Sequence, residues 1–261
     1  MATHAHRPRK RFGQHFLHDR QVIERLVRAI APLPDQALLE IGPGEGVLTR
    51  PLLASGARVT AVELDRDLAA SLFDRLGQPR GLEIVQADIL AVDIAALAAA
   101  GPLRVVGNLP YNISTPILFH LFSQLEAVVD MHFMLQKEVV DRLVAAPGGR
   151  DYGRLSVMAG FFCDMECLFD VPPEAFRPPP KVMSAIIRLR PKQLSQSERA
   201  LLPALESVVR HAFGQRRKTL RNSLAPLLDE SAIAAAGIDP GLRAERLDLN
   251  AFLRLAERFG G

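Results

Sequence analysis

The chain has 261 residues, 48% apolar and 23% charged, which suits a globular protein with one large core and a smaller one. No apolar run nears the roughly 20 residues of a bilayer span. The start, MATHAHRPRKRFGQHFL, is charged and lacks the apolar stretch of a secretory signal. Charge is segregated. Residues 1–30 hold seven Arg or Lys against two acids, residues 31–190 fourteen against nineteen, and residues 191–261 eleven against eight. The basic runs RPRKR (7–11) and RHAFGQRRKTLR (210–221) point to a polyanion partner, since each cation set against a phosphate releases counterions. The two cysteines, Cys163 and Cys167, form a lone C-x3-C with no second pair, so no metal site is expected. They read as reduced thiols of a cytoplasmic protein, and a monomer is the default.

In chain order, residues 19–31 have helical spacing, with Val22, Ile23, Leu26, Val27 and Ile30 on one face. Short apolar runs follow at 37–41, 58–64, 82–87, 103–107 and 131–136, separated by helical stretches at 46–55, 66–77, 92–100 and 114–125. This alternation predicts a mostly parallel sheet covered on both faces. No helix is expected between 157–169 and 182–189, so the last strands are expected to pair antiparallel. After Pro191 the pattern turns helical. Ser195 and Glu198 have capping-box spacing, and both GQRRKTLRNSLAPLL and DLNAFLRLAERF are periodic. The expected division is a domain at 1–190 and a small all-helical domain at 191–261.

Open α/β sheets bind ligands at the C-terminal strand ends. There the first strand runs into Gly42-Pro43-Gly44-Glu45-Gly46, the second ends at Glu63 and the third at Asp88. Glycines admit a ligand close to backbone, and an acid after the second strand suits ribose hydroxyls. The pattern is G-x-G-x-G, not the G-x-G-x-x-G of dinucleotide binders, and no hydride-transfer partner is evident. S-adenosylmethionine, an adenosine with no pyrophosphate to cradle, is therefore the better cofactor. The fourth strand ends in Asn108-Leu109-Pro110-Tyr111, beside that pocket, where a methyl acceptor would lie. A tight turn alone would also explain those four residues.

RKRFGQHFL, LLEIGPGEGVLT, AVELDRDLA, GNLPYNISTPILFHL, MHFMLQKEVVDRL, YGRLSVM, FRPPPKVMSA and FGQRRKTLRNSL, in this order, span nearly the whole chain. Together they resemble the small-subunit ribosomal RNA adenine N6,N6-dimethyltransferases. The resemblance implies a Rossmann-like class I methyltransferase domain, with a mostly parallel sheet and an antiparallel last strand, followed by a small helical RNA-binding domain. It implies dimethylation of N6 on two adjacent adenosines in a hairpin near the 3′ end of 16S ribosomal RNA, and a role in small-subunit biogenesis. Its cofactor contacts fall on His15, Leu17, Gly42, Glu63, Asp88 and Asn108, although many members have Asn where this chain has His15. Its acceptor site falls on Asn108, Leu109, Pro110 and Tyr111, with Phe176 as a second stacking ring. RNA backbone contacts are expected from Arg9, Lys10, Arg11, Arg216, Arg217, Lys218 and Arg221, the last four on a helix.

Asn108 and the Leu109 or Pro110 carbonyl are expected to accept the two amino hydrogens of adenine, which redirects the nitrogen lone pair. Tyr111 is expected to stack on the base. Rival readings are a large-subunit adenine N6-methyltransferase of the antibiotic-resistance type, a DNA adenine methyltransferase, a dehydrogenase, and an RNA-binding assembly factor whose catalysis is incidental.

Overall fold

Strand formation follows the apolar runs. The computed structural model describes residues 15–215 and 217–260. Its strands are β1 (Phe16–Leu17), β2 (Ala37–Ile41), β3 (Arg58–Glu63), β4 (Leu82–Gln86), β5 (Leu103–Asn108), β6 (Val128–Gln136), β7 (Cys163–Val171), β8 (Phe176–Arg177) and β9 (Ser184–Pro191). Seven form one sheet in the order β4-β3-β2-β5-β6-β9-β7. β4, β3, β2, β5 and β6 are parallel neighbours, and β9 runs antiparallel to β6. β2 and β5 mark the switch point, because the chain leaves them toward opposite edges of the sheet. Their runs, ALLEI and LRVVGN, are buried almost throughout, as strands covered on both faces must be.

Two of the longer helices of this unit start on acidic caps. The Asp19 carboxylate accepts from the Gln21 and Val22 N–H groups at the head of Arg20–Ile30, and Asp65 accepts from Asp67 N–H at the head of Arg66–Arg75. β1 and β8 make a separate antiparallel pair, Phe16 opposite Arg177 and Leu17 opposite Phe176. Leu17, Leu26, Leu38, Val106, Met134, Phe176 and Ile186 pack into a single apolar cluster. At the start of β5, the Arg104 guanidinium holds the Asp130 carboxylate with two hydrogen bonds, 2.8 and 2.9 Å.

The chain divides into two units. One holds the described residues through Val140 together with Glu166–Pro191; the other holds Asp141–Met165 and Lys192 onward. The expected boundary near 190 is thus one of several crossings, since Asp141–Met165 group with the later helices. The second unit contains helices Arg154–Phe162, Gln196–Gly214, Leu220–Ser223, Glu230–Ala235 and Leu249–Gly260. Ser195 and Glu198 do cap the longest of them reciprocally. Its core joins Val208, Val209, Phe252 and Leu255, with Phe213 between the rings of Phe252 and Tyr152.

Two local expectations fail. The segment expected to be strand from 157 is helical over Arg154–Phe162, and β7 begins only at Cys163. Val157, Met158, Ala159, Phe161 and Phe162 are all buried, and a helix buried all round leaves no amphipathic period to read. The basic run GQRRKTLR is also not one helix. The long helix ends at Gly214, Lys218 N–H turns back to the Gln215 carbonyl, and Thr219 adopts extended angles before the short helix Leu220–Ser223.

Candidate active site

The C-terminal ends of β2, β3, β4 and β5 open onto a cavity of about 300 Å³. His15, Leu17, Gly42, Glu63, Asp88, Asn108, Leu109, Pro110 and Tyr111 all line it, as does Glu40. The loop after β2 sets its floor. Gly42, Gly44 and Gly46 have φ of +65°, +58° and +79°, in the left-handed region that side chains resist. A Cβ on Gly44 would also stand 3.1 Å from the Phe16 ring. Gly107 serves packing instead: a Cβ there would lie 2.5 Å from the Ile41 carbonyl oxygen on the neighbouring strand. That is why the apolar run of β5 stops at a glycine.

The acids differ in their commitments. Glu63 accepts from Gly44 N–H at 3.1 Å and Asp65 N–H at 2.9 Å, one bond on each carboxylate oxygen. Burial raises its pKa, and those backbone bonds partly oppose the rise. Each oxygen keeps acceptor capacity, so a pair of ribose hydroxyls could add to it. Asp88 is exposed and caps the following turn through Leu90 N–H at 3.0 Å. Glu40 is 2% exposed, and burial pushes its carboxyl up to about 7, with the Glu63 charge adding and the Thr49 hydroxyl opposing. Its Oε2 has no hydrogen-bond partner among the described residues. An orphaned carboxylate oxygen in a glycine-walled cavity fits a cationic ligand, and an adenosine bearing an ammonium and a sulfonium is such a ligand. Leu64 and Leu90, both partly exposed, give the cavity an apolar rim. The sequence reading missed Glu40, Leu64 and Leu90. The clues were an acid inside the apolar run ALLEI and a leucine just past each strand-end acid.

At the end of β5 the Asn108 Nδ2 donates to the His15 carbonyl at 2.9 Å. This fixes the amide rotamer and leaves Oδ1 as a spare acceptor. Leu109 is 1% exposed, and its N–H donates to the Met134 carbonyl. The Pro110 carbonyl accepts from Ile113 N–H at 3.2 Å, so of the two backbone acceptors expected there, Leu109 is the less engaged. Tyr111 is anchored through its hydroxyl to Ser184 Oγ at 2.5 Å, and burial raises the phenol pKa. Its ring stacks on His15, with centroids 5.5 Å apart and planes 23° from parallel.

Phe176 is not where the resemblance implied. It is 1% exposed, sits in the apolar cluster with Leu17 and Val171, and does not line the cavity. In this structure it stands as a packing residue of that cluster. Arg9, Lys10, Arg11 and Arg216 lie outside the described residues. Arg217, Lys218 and Arg221 are exposed in the second unit, and Arg221 pairs with Glu230 at 3.6 Å. Among the described residues no cluster of His, Cys, Asp or Glu could hold a metal, and no helix is long and apolar enough to cross a membrane.

A parallel sheet with an antiparallel strand beside β6, and a strand-end cavity that joins an acid, a glycine loop and Asn-Leu-Pro-Tyr, define a Rossmann-like methyltransferase. The family model for ribosomal RNA adenine dimethylase matches residues 5–260. The chain belongs to that family. It is 56% identical over 253 residues to a ribosomal RNA small subunit methyltransferase A of Methylococcus capsulatus, covering 97% of this chain and 98% of the relative. Among solved structures it resembles a dimethyladenosine transferase from Plasmodium falciparum, with a TM-score of 0.76, 26% identity and coverage of 92% and 96%. It also resembles the 23S rRNA methyltransferase ErmE, with a TM-score of 0.71, 32% identity and coverage of 94% and 100%.

Proposed function

We propose that this protein transfers methyl groups from S-adenosylmethionine to N6 of adenosine in small-subunit ribosomal RNA, twice on each of two adjacent adenosines in a hairpin near the 3′ end. The observation that carries the reading is the locked Asn108 amide, with its free oxygen beside Tyr111 in one cavity. The 56% identity to a ribosomal RNA small subunit methyltransferase A, over nearly the whole of both chains, supports the small subunit over the resistance branch. Immature small subunits in the cytoplasm are the proposed partner, with the enzyme acting as a monomer.

When bound, S-adenosylmethionine supplies an electrophilic methyl group. Glu63 would hold the ribose hydroxyls, Asp88 and the Leu64 and Leu90 side chains the adenine, and Gly42, Leu17 and Glu40 the remainder. On the acceptor side, adenine N6 is a weak nucleophile because its lone pair is delocalised into the ring. Asn108 Oδ1 and the Leu109 carbonyl each accept one amino hydrogen, which draws the nitrogen toward pyramidal geometry and frees the lone pair. Pro110 restricts Leu109 to extended angles and so stiffens that carbonyl. Tyr111 stacks on the base, an interaction worth about 1–3 kcal/mol. The base must leave its own stack to arrive there. After transfer the cationic nitrogen is acidic enough to lose its proton to water, so no side chain needs to act as general base. Acceleration rests on alignment and on fixed dipoles in a water-poor site. Arg217, Lys218, Arg221 and the basic N-terminal run would position the RNA through phosphates.

The test is nucleoside mass spectrometry after incubation with labelled S-adenosylmethionine. Unmodified small subunits should yield N6,N6-dimethyladenosine, and large-subunit RNA should yield none. Label in large-subunit RNA alone would overturn the assignment. Binding of the cofactor with no label in either sample would favour a pure assembly factor.

A further inference from the structure

His15 enters the cavity from the N-terminal segment, and the resemblance assigns it to the cofactor. Its contacts point elsewhere. Nδ1 donates to the Pro178 carbonyl at 2.7 Å, on the segment between β8 and β9. The ring stacks on Tyr111, with 5.5 Å between centroids and planes 23° from parallel. Only its backbone carbonyl turns to Asn108. The ring contacts are thus with Tyr111, in the Asn-Leu-Pro-Tyr segment, and with Pro178, and neither is among the residues assigned to the cofactor. We propose that the His15 side chain is a positioning residue of the acceptor site: it backs Tyr111, so that the incoming adenine completes a stack of three rings.

The physical case is geometric. A tyrosine held only at its hydroxyl can still tilt about the Cβ–Cγ axis. Ser184 fixes the hydroxyl end, and His15 fixes the face. The His15 ring is itself held by Pro178, so the support is not another mobile ring. Aromatic pairs at this separation attract beyond their buried area. A ring backed in this way presents its other face to a base without losing further freedom on binding, which lowers the cost of docking. The role differs from cofactor binding in what it moves. Loss of the ring should raise KM for RNA and leave cofactor affinity alone.

This inference rests on the proposed methyl transfer to an RNA adenosine, and the test separates the two. The sequence has two tyrosines and no tryptophan, so in a Tyr152→Phe background all tyrosine emission comes from Tyr111. His15→Ala in that background should change the Tyr111 quantum yield in the apoprotein, whatever the substrate proves to be. In the otherwise native chain, His15→Ala and His15→Asn should raise KM for small subunits about tenfold, the size expected of a lost aromatic pair. The Kd for S-adenosylmethionine, read by calorimetry, should stay at its native value. His15→Phe keeps a ring but loses the bond to Pro178, and should recover part of the loss, which a purely structural defect would not allow. Weakened cofactor binding with KM for RNA unchanged would overturn the proposal. So would tighter RNA binding by His15→Ala, which would make the ring a plug. A change in Tyr111 emission without any methyl transfer by the native chain would instead sink the proposed function.

Discussion

Replacing Glu40 by Gln should stabilise the apoprotein at alkaline pH and not at acid pH. The carboxyl lies 2% exposed beneath the glycine loop, near Glu63, with Oε2 unpartnered. Burial, with help from the Glu63 charge, raises its pKa from 4.5 to about 7. A raised folded-state pKa means that the fold favours the proton. Below pH 4.5 the carboxyl is neutral in both the folded and the unfolded chain. As pH rises toward 7 the unfolded chain ionises freely while the folded one resists, so stability is lost. The gap between 4.5 and about 7, at ~1.36 kcal/mol per pH unit, comes to about 3 kcal/mol. Gln is neutral throughout, and any cost of burying its amide is the same at every pH. Urea melts of wild type and Glu40→Gln at pH 4.5, 6 and 8.5 should show a margin favouring the variant that grows with pH toward that value. The same variant should bind S-adenosylmethionine about tenfold more weakly, because a cationic ligand loses its buried counter-charge. A stability margin independent of pH, or one larger at pH 4.5, would refute the reasoning.

Asn108→Asp should retain transfer above that of Asn108→Ala but about 10- to 100-fold below wild type, since an oxygen would replace Nδ2 at 2.9 Å from the His15 carbonyl and one buried acceptor would lose its donor; single-turnover rates at saturating RNA check this, and an Asp variant at the wild-type rate would show that the amide orientation is irrelevant. Gly107→Ala should destabilise the first unit by about 1–3 kcal/mol, because the new methyl meets backbone on β2, which has little room to give; an unchanged thermal midpoint would contradict the packing account. His132 is 1% exposed with neither ring nitrogen hydrogen-bonded, and burial, with Arg104, Arg188 and Arg190 adding and Asp130 opposing, lowers its pKa from 6.5 to about 4. Its stabilising effect is therefore full above pH 6.5 and lost as pH falls toward 4, so His132→Leu should flatten the acid limb of a stability-against-pH curve, and an unaltered limb would count against it.

The strands of the sheet were legible because burial on both faces writes itself as apolar runs, and Glu63, Asp88 and Asn108 were legible because they sit where those runs stop. The helix Arg154–Phe162 was not, because its burial on all sides erased the period that separates helix from strand. The burial of Phe176 was hidden for a related reason: a motif fixes a residue's position along the chain but not the packing around its ring. The stack of His15 on Tyr111 was hidden too, since no local pattern links residues so far apart. Glu40 escaped notice because one acid in an apolar run reads as noise until its burial is seen.

The bond from His15 to Pro178 joins residues 163 apart in sequence. A chain emerges from its N-terminus during synthesis, so the loop after β2, Asn108 and Tyr111 are all made long before the segment that holds His15 in place. The order of synthesis thus sets when that bond can form. A chain that stops short of β8 carries Asn108 and Tyr111 but lacks both the Pro178 carbonyl that holds the His15 ring and the Ser184 hydroxyl that holds Tyr111.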